Sequence, residues 1–459
     1  MNQQQRSEPG RWYPWYMLLF LWGAFFLNQG DRQLFNNVLP LIEEELGFTP
    51  IQLSLVAMIF TICYGIFVPI AGYAGDRIQK RFVVLLSLLV FSLGTLATGL
   101  VPHADAIKEF LPQSLFAWCS ASGVCLGLLI VARSVATGIG EAFYYPAANS
   151  LIAIYHEKTR ATAMAVHQTA NYTGVVFGGS LAAWVGYRYG WRVAFYCFGT
   201  IGIIWALAIL LLFRNDRRDL LVLQRRASMS DASSDNALGL RSVLAAILSR
   251  PTFYLLALAF GGMCFVNVGF LTWMPRYLIQ EFNVEGAKAG FDATFYHHVT
   301  AYVSVFIAAA ISDSLALRIP AIRMVMEFIG LLLGAPFIWL MGYSDSLVVV
   351  YLALAGFGLF RGIYDSNLFA AMFDVIEPRF RATASGIMLA FAFVIGSLAP
   401  WILALLAESL HGDFGPGLAS LAYVYLGSAF LILLATLLFY KRDRLAAEQN
   451  ESRIAQEER

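Results

Sequence analysis

"IQLSLVAMIFTICYGIFVPIAGYAGDRIQKRFVVLLSLLVFSLGTLATGL" (residues 51–100) is two long apolar runs separated by one short charged turn. Each run exceeds the roughly 18 residues that let an α-helix cross a bilayer, and the turn carries Arg77, Lys80 and Arg81. Short loops rich in Lys and Arg stay on the inner side. The reading is therefore two antiparallel membrane spans joined in the cytoplasm. Composition agrees: 59% of the chain is hydrophobic and only 13% charged, with a mean hydropathy of +0.66, whereas soluble domains carry about 25% charged residues.

Working outward, comparable runs begin near residues 15, 51, 82, 118, 161, 193, 251, 294, 324, 346, 383 and 419, which predicts twelve transmembrane helices. Assigned to alternate sides, the loops segregate the basic residues strongly. One side collects the two N-terminal arginines, the 77–81 turn, Lys158, Arg160, the seven arginines of 214–250, Arg318, Arg323, Arg379, Arg381 and the basic tail, while the other holds only Lys108, Arg188, Arg192, Arg276 and Lys288. An integral, multi-pass protein of the inner or plasma membrane with both termini cytoplasmic is expected. The first run follows a polar, tryptophan-bearing segment without a small-residue cleavage site, so it reads as a retained span. Cys63, Cys119, Cys125, Cys197 and Cys264 show no paired spacing, and no disulfide framework or metal site is implied. There is no phosphate-binding loop, G-x-S-x-G, H-E-x-x-H or C-x-x-C, which argues against an ATP-driven pump or a membrane hydrolase. No enzymatic activity, cofactor or nucleic-acid partner is expected, and the net charge of +1 points to no partner.

The longest hydrophilic interval, 214–250, divides the spans six and six. Its "SMSDASSDNA" core reads as a flexible cytoplasmic linker, and "LRSVLAAILSR" (240–250) as an amphipathic helix lying on the inner face. The expected organisation is a first six-helix bundle over 1–213, the linker, a second bundle over 251–440 and a cytoplasmic tail over 441–459. Internal repeats support a duplicated unit. "FLNQG" (26–30) recurs as "FVNVG" (265–269), with proline steps following at Pro40 and Pro275; "AGDRIQKR" (74–81) returns worn as "ISDSLALR" (311–318); and "RATA" stands at 160–163 and 381–384. Repeats of this kind characterise transporters whose site lies near the membrane midplane between the halves.

"GYAGDRIQKR" (72–81) resembles the cytoplasmic signature of the major facilitator superfamily, G-x-x-x-D-R-x-G-R/K-R/K, with Gln79 in place of the second glycine. The resemblance implies an all-α fold of two pseudo-symmetric six-helix bundles and a cytoplasmic latch formed by Gly72, Asp76, Arg77, Lys80 and Arg81. Gly72 would permit close helix approach, and Asp76 would pair with basic groups or a helix N-terminus. Further motifs are similar to those of the anion:cation symporters and their Spinster-like neighbours: the Asp31-Arg32 pair in the first span, Arg133 and "GIGEA" (138–142) in the fourth, Tyr64 eight residues before Gly72, and Gly190, Trp191, Arg192 and Phe195 of a G-W-R-x-x-F motif. One departure matters. Arg133 and Glu141 are eight residues apart where the family has seven, and at about 100° per residue eight steps turn Glu141 some 80° away from Arg133. A π-bulge between them would restore the register.

Charges inside a membrane span face protein or water and are functional by default. A buried Arg32 needs an anion. Asp31 is expected to serve when the site is empty, and an anionic substrate to displace it, leaving Asp31 free to take a proton; Glu141 is the second proton-coupling candidate. Arg suits the role because its planar fork grips carboxylate or phosphate with two hydrogen bonds and never deprotonates. Arg32, Arg133, Tyr64, Gln168, Asn171, Asn267 and Arg361 are the expected substrate-binding residues. Arg361 and Asp365 are spaced to pair on one helix face, with Tyr364 and Asn367 adding polarity, and Asp374, close to "EPRFR" (377–381), reads as a latch partner. In "AVHQTANYTGVVFGG" (165–179), His167 and Tyr172 join Gln168 and Asn171, and the glycines favour close packing; plain interhelical hydrogen bonding is the simpler role for His167. His297 and His298 are placed at the outer end of the eighth span as solvated or structural groups. The expected function is secondary active transport by alternating access, a proton-coupled symport of a small organic anion such as a sugar acid or acidic saccharide, by a monomer whose cavity is lined mainly by spans 1, 4, 7 and 10. A Spinster-like lipid carrier and a non-transporting receptor on the same scaffold are the alternatives.

Overall fold

In lipid, a run of apolar residues satisfies its backbone N–H and C=O groups only by closing on itself as a helix or a barrel. The computed structural model describes residues 12–110, 120–156, 159–213, 247, 249–316, 318–377 and 380–457, with the side chains of 75–77, 110, 160–161, 382 and 451–457 outside the description, and the described residues contain helices and no strand. The 214–246 part of the linker, most of the expected surface helix at 240–250, Cys119, Lys158 and Arg379 lie outside them.

In chain order the helices are α1 (Tyr13–Leu46), α2 (Pro50–Arg77), α3 (Lys80–Gly99), the short α4 (Ala104–Phe110), α5 (Ala121–Tyr155), α6 (160–189) and α7 (Trp191–Leu212). After the linker come α8 (Pro251–Phe282), α9 (Gly286–Ala316), α10 (Ile322–Tyr343), α11 (Leu347–Val375), α12 (Arg381–Ser397), α13 (Ala399–Ser409) and α14 (Gly415–Ala435), which runs on through a π-turn into Lys441–Glu457. Among the described residues, ten helical stretches are long and apolar enough to cross a membrane, α12 and α13 together making one of them. The helices α1 and α6 are also long but more polar, and they complete the twelve spans.

The chain forms two compact units, Met1–Val38 with Phe67–Ser234, and Leu39–Ile66 with Asp235–Arg459. The main division falls in the hydrophilic interval. The last turns of α1 and the first half of α2 group with the second unit, where Glu43 pairs with Arg276 and the Tyr64 ring stands edge-on to Phe393 at 5.1 Å. The segment after 440 is helical as far as Glu457. Asp443 accepts from the backbone N–H (3.0 Å) and the hydroxyl (2.8 Å) of Thr252, capping the N-terminus of α8, where four backbone donors otherwise lack partners.

In the first unit, glycines bring backbones together around α1. A Cβ on Gly178 of α6 would stand 2.8 Å from the Cα of Gly30, and one on Gly179 would stand 2.7 Å from the Cβ of Gln33. Small residues of this kind give helices their closest approach in a membrane. A Cβ on Gly140 of α5 would meet the backbone of α3 at Phe91, with the Cα at 2.9 Å. Backbone cannot swing away as a side chain can, so Gly140→Ala is expected to destabilise the protein by about 1–3 kcal/mol. Thermal unfolding in detergent measures this, and an unchanged midpoint would refute the close packing of α3 on α5. Gly190 joins α6 to α7 at φ +99°, a conformation open chiefly to glycine, and so places Trp191 in the core, edge-on to Phe195 at 5.8 Å. The G-W-R-x-x-F motif is here a turn and its anchor.

Candidate substrate and coupling site

The charged residues of α1 sit against α5. Thr137 of α5 sends both its backbone N–H and, at 3.0 Å, its hydroxyl to the carbonyl of Ala132, five residues back, and Ile130–Ala136 is a π-helical segment. The extra residue in this turn offsets the eight-residue step, so that Arg133 and Glu141 both reach α1. The expected bulge is present, and it begins before Arg133.

The pairing differs from the expected one. Arg133 Nη1 donates to Asp31 Oδ2 at 2.6 Å and Nη2 to the Asp31 carbonyl at 3.0 Å, while Thr95 of α3 donates to Asp31 Oδ1 at 2.8 Å. Arg32 Nε donates instead to Glu141 Oε2 at 2.5 Å. Consecutive residues on a helix point about 100° apart. Asp31 therefore does not act as the resting partner of Arg32; each takes an oppositely charged residue from α5. The side chains of Asp31, Arg133 and Glu141 are 2%, 3% and 0% exposed, and that of Arg32 is 20% exposed. Of the four, only Arg32 can be reached by a ligand from outside. Arg133, engaged by Asp31 and by main-chain carbonyls and covered by the Phe35 ring at 5.6 Å, serves as an internal anchor and not as an open ligand.

On α6, Gln168 accepts from the Tyr145 hydroxyl at 3.4 Å, and Asn171 and Tyr172 are half-buried. Tyr144 gives its single proton to the carbonyl of Leu21, so its oxygen can only accept from His167 Nε2 at 3.1 Å. His167, stacked on Phe25 at 4.8 Å, is thus an interhelical link.

The second unit builds its own polar cluster. Arg361 Nε donates to Asp365 at 3.2 Å, the expected pair on one helix face, and Nη1 donates to Asn267 Oδ1 at 2.5 Å and to His297 Nε2 at 3.2 Å. Arg361 and Asn267 are thereby joined, tying α11 to α8 and α9. His297 and His298 are not at the outer end of their span. They are buried well within α9, His297 stacked on Phe357 at 4.7 Å and His298 bonded to the Thr294 carbonyl at 2.8 Å. Tyr64 also belongs to this unit.

Of the expected latch, the side chains of Asp76 and Arg77 lie outside the described ones. Lys80 is buried, and Arg81 donates to the Leu210 carbonyl of α7 at 2.6 Å. A Cβ on Gly72 would meet nothing within 4 Å, so close helix approach is not what this glycine provides. Asp374 is held by Arg323 of α10 at 2.7 Å and by the Tyr440 hydroxyl at 2.9 Å. Of the "EPRFR" turn, Arg379 lies outside the described residues, and Arg381 donates to the Phe373 carbonyl at 2.9 Å. Three groups escaped sequence reasoning. Thr95 was one hydroxyl among many in an apolar run, Glu43 and Arg276 sat far apart in sequence, and Glu327 was a single acid close to the start of its helix.

Helices, glycine-packed interfaces and intramembrane ion pairs of this kind are those of a multi-pass membrane protein. The profile of the Major Facilitator Superfamily matches residues 21–400, and the chain belongs to that family. It is 23% identical over 94% of its length to Protein spinster homolog 1 of Xenopus tropicalis, covering 82% of that protein. To the Probable galactarate/D-glucarate transporter GarP of Escherichia coli (strain K12) it is also 23% identical, over 93% of this chain and 94% of that one. Its fold matches the crystal structure of a bacterial homologue of the human lysosomal transporter Spinster, in an inward-facing and unoccupied conformation, with a TM-score of 0.72, 20% identity and coverage of 95% and 98% of the two chains.

Proposed function

We propose that this transporter couples the movement of a small organic anion, of the sugar-acid class, to protons. The single observation that carries the reading is the Arg32–Glu141 pair, one member partly exposed and the other enclosed. An incoming carboxylate can take the guanidinium fork of Arg32 with two hydrogen bonds. Glu141 then loses its cation in a site closed to water, where a lone carboxylate is costly, and a proton is the compensation at hand. Anion and proton binding are linked in this way, with Asp31, Arg133 and Thr95 holding α1 in register. A site that exchanges one acid for another needs no cofactor. The galactarate/D-glucarate name of one relative supports the substrate class. The basic loops support an orientation with both termini in the cytoplasm of an inner or plasma membrane, and a monomer suffices for this reading, since all four groups come from one chain.

The test is uptake of labelled sugar acids and lysolipids into proteoliposomes with and without a proton gradient. A sugar acid should accumulate only with the gradient. In Glu141→Gln that accumulation should vanish while substrate counterflow continues, because exchange moves no net proton. Concentrative uptake by this variant would rule out Glu141 as the proton carrier. The Spinster-like similarity favours a second reading, and uptake of lysolipid in place of sugar acid would establish it. Binding without any flux would indicate a receptor.

A further inference from the structure

A second buried acid stands outside this machinery. Glu327 of α10 is fully buried, and neither carboxyl oxygen has a hydrogen-bond partner. Around it lie other buried polar atoms in the same condition, the hydroxyls of Tyr364 on α11 and Tyr425 on α14. The helix faces explain the grouping. Gly330, three residues after Glu327, lies against the backbone of α11, where its Cβ would stand 3.0 Å from Tyr364 N, and Gly334 lies against the Tyr425 ring at 3.2 Å. Glu327 thus points along the seam where α10, α11 and α14 meet.

Four residues earlier on the same face of α10 is Arg323. Its Nη1 donates to Asp374 at 2.7 Å and its Nη2 to Asp313 at 3.4 Å, while its Nε is buried without a partner. Tyr440 completes the set by donating to Asp374 at 2.9 Å. The titratable and charged groups facing Glu327 are therefore Arg323 on its own helix, Tyr364 and Asp374 on α11 and Tyr425 on α14, with Asp313 of α9 and Tyr440 of the π-turn after α14 bonded to Arg323 and Asp374. A carboxylate buried without a donor is not sustainable as an anion. Arg323 is turned toward the two aspartates and bonds to both.

We propose that Glu327 is a proton-binding site of the second unit, separate from Glu141, and that its charge state decides which acid holds Arg323. Protonated, it leaves Arg323 to Asp374 and Asp313, the arrangement seen here. Deprotonated, it draws the guanidinium along the helix face and loosens the bond to Asp374 that ties α10 to α11. The proton is the ligand, and the output is the packing of those two helices at the end bearing the basic loops. The assignment does not depend on anion exchange at Arg32.

Infrared spectroscopy of the full-length protein in lipid nanodiscs, titrated from about pH 5 to about pH 10 without substrate, tests it. The wild type should show the carbonyl band of a protonated carboxyl group that Glu327→Gln lacks, and raising the pH should bleach that band. In Asp374→Asn, Arg323 is freed for Glu327, so the bleaching midpoint should fall by roughly one pH unit or more. The glutamine variant mimics the protonated form, and the titration of the wild type needs no variant. No band difference between wild type and Glu327→Gln would mean an ionised Glu327. A band persisting to the alkaline limit would mean a purely structural acid, and a midpoint unmoved in Asp374→Asn would mean that Arg323 is not shared. Each of these overturns the proposal, and none bears on Glu141.

Discussion

Arg32→Lys is expected to weaken binding of the transported anion by about 10²-fold, in line with the roughly 1.5–3 kcal/mol that a hydrogen bond to a charged group contributes. The charge is kept, and a lysine ammonium can still approach Glu141, so the variant should fold and unfold at nearly the wild-type temperature. What disappears is the planar pair of donors that grips a carboxylate from two sides. Equilibrium binding of the sugar acid identified by the uptake panel reads the effect directly. Affinity within a few-fold of wild type would remove Arg32 as a two-point anion anchor and shift attention to Arg361 in the second unit.

Arg133→Leu should act on stability. It leaves Asp31 enclosed, with Thr95 its remaining hydrogen-bond donor, and breaking a buried pair from one side costs about 3–5 kcal/mol. Unfolding in detergent should show that loss, while Asp31→Leu combined with Arg133→Leu should recover most of it, because no charge is then left unpaired. Both variants should also impair transport, since Asp31 sets the direction of its neighbour Arg32. A single variant as stable as the wild type would contradict the anchoring role.

Much of the site could be read from local rules, and its errors share one origin. Asp31, Arg32, Arg133 and Glu141 were conspicuous because charges in apolar runs are rare, and the irregular turn of α5 followed from counting eight residues where seven were needed. The partners were misassigned. Adjacency in sequence suggested that Asp31 serves Arg32, whereas adjacency on a helix separates side chains by about 100°, and each residue found its counterion on α5. The same limit hid Thr95 and placed His297 and His298 wrongly along their span.

What the order of residues determined by itself was everything that depends on one segment at a time: the number of spans, from the length of apolar runs; the division near the middle of the chain, from composition; and the identity of the charged residues that had to be enclosed. Tertiary structure decided which charge meets which, because in a bundle of packed helices a side chain's neighbours come from other helices whose rotation and depth no local pattern records. Arg32 keeps part of its surface open and Arg133 does not, though both are arginines in the middle of apolar spans. Glycine-governed contacts around α1 and a single π-turn in α5 make that difference, and they place the exchangeable pair at Glu141.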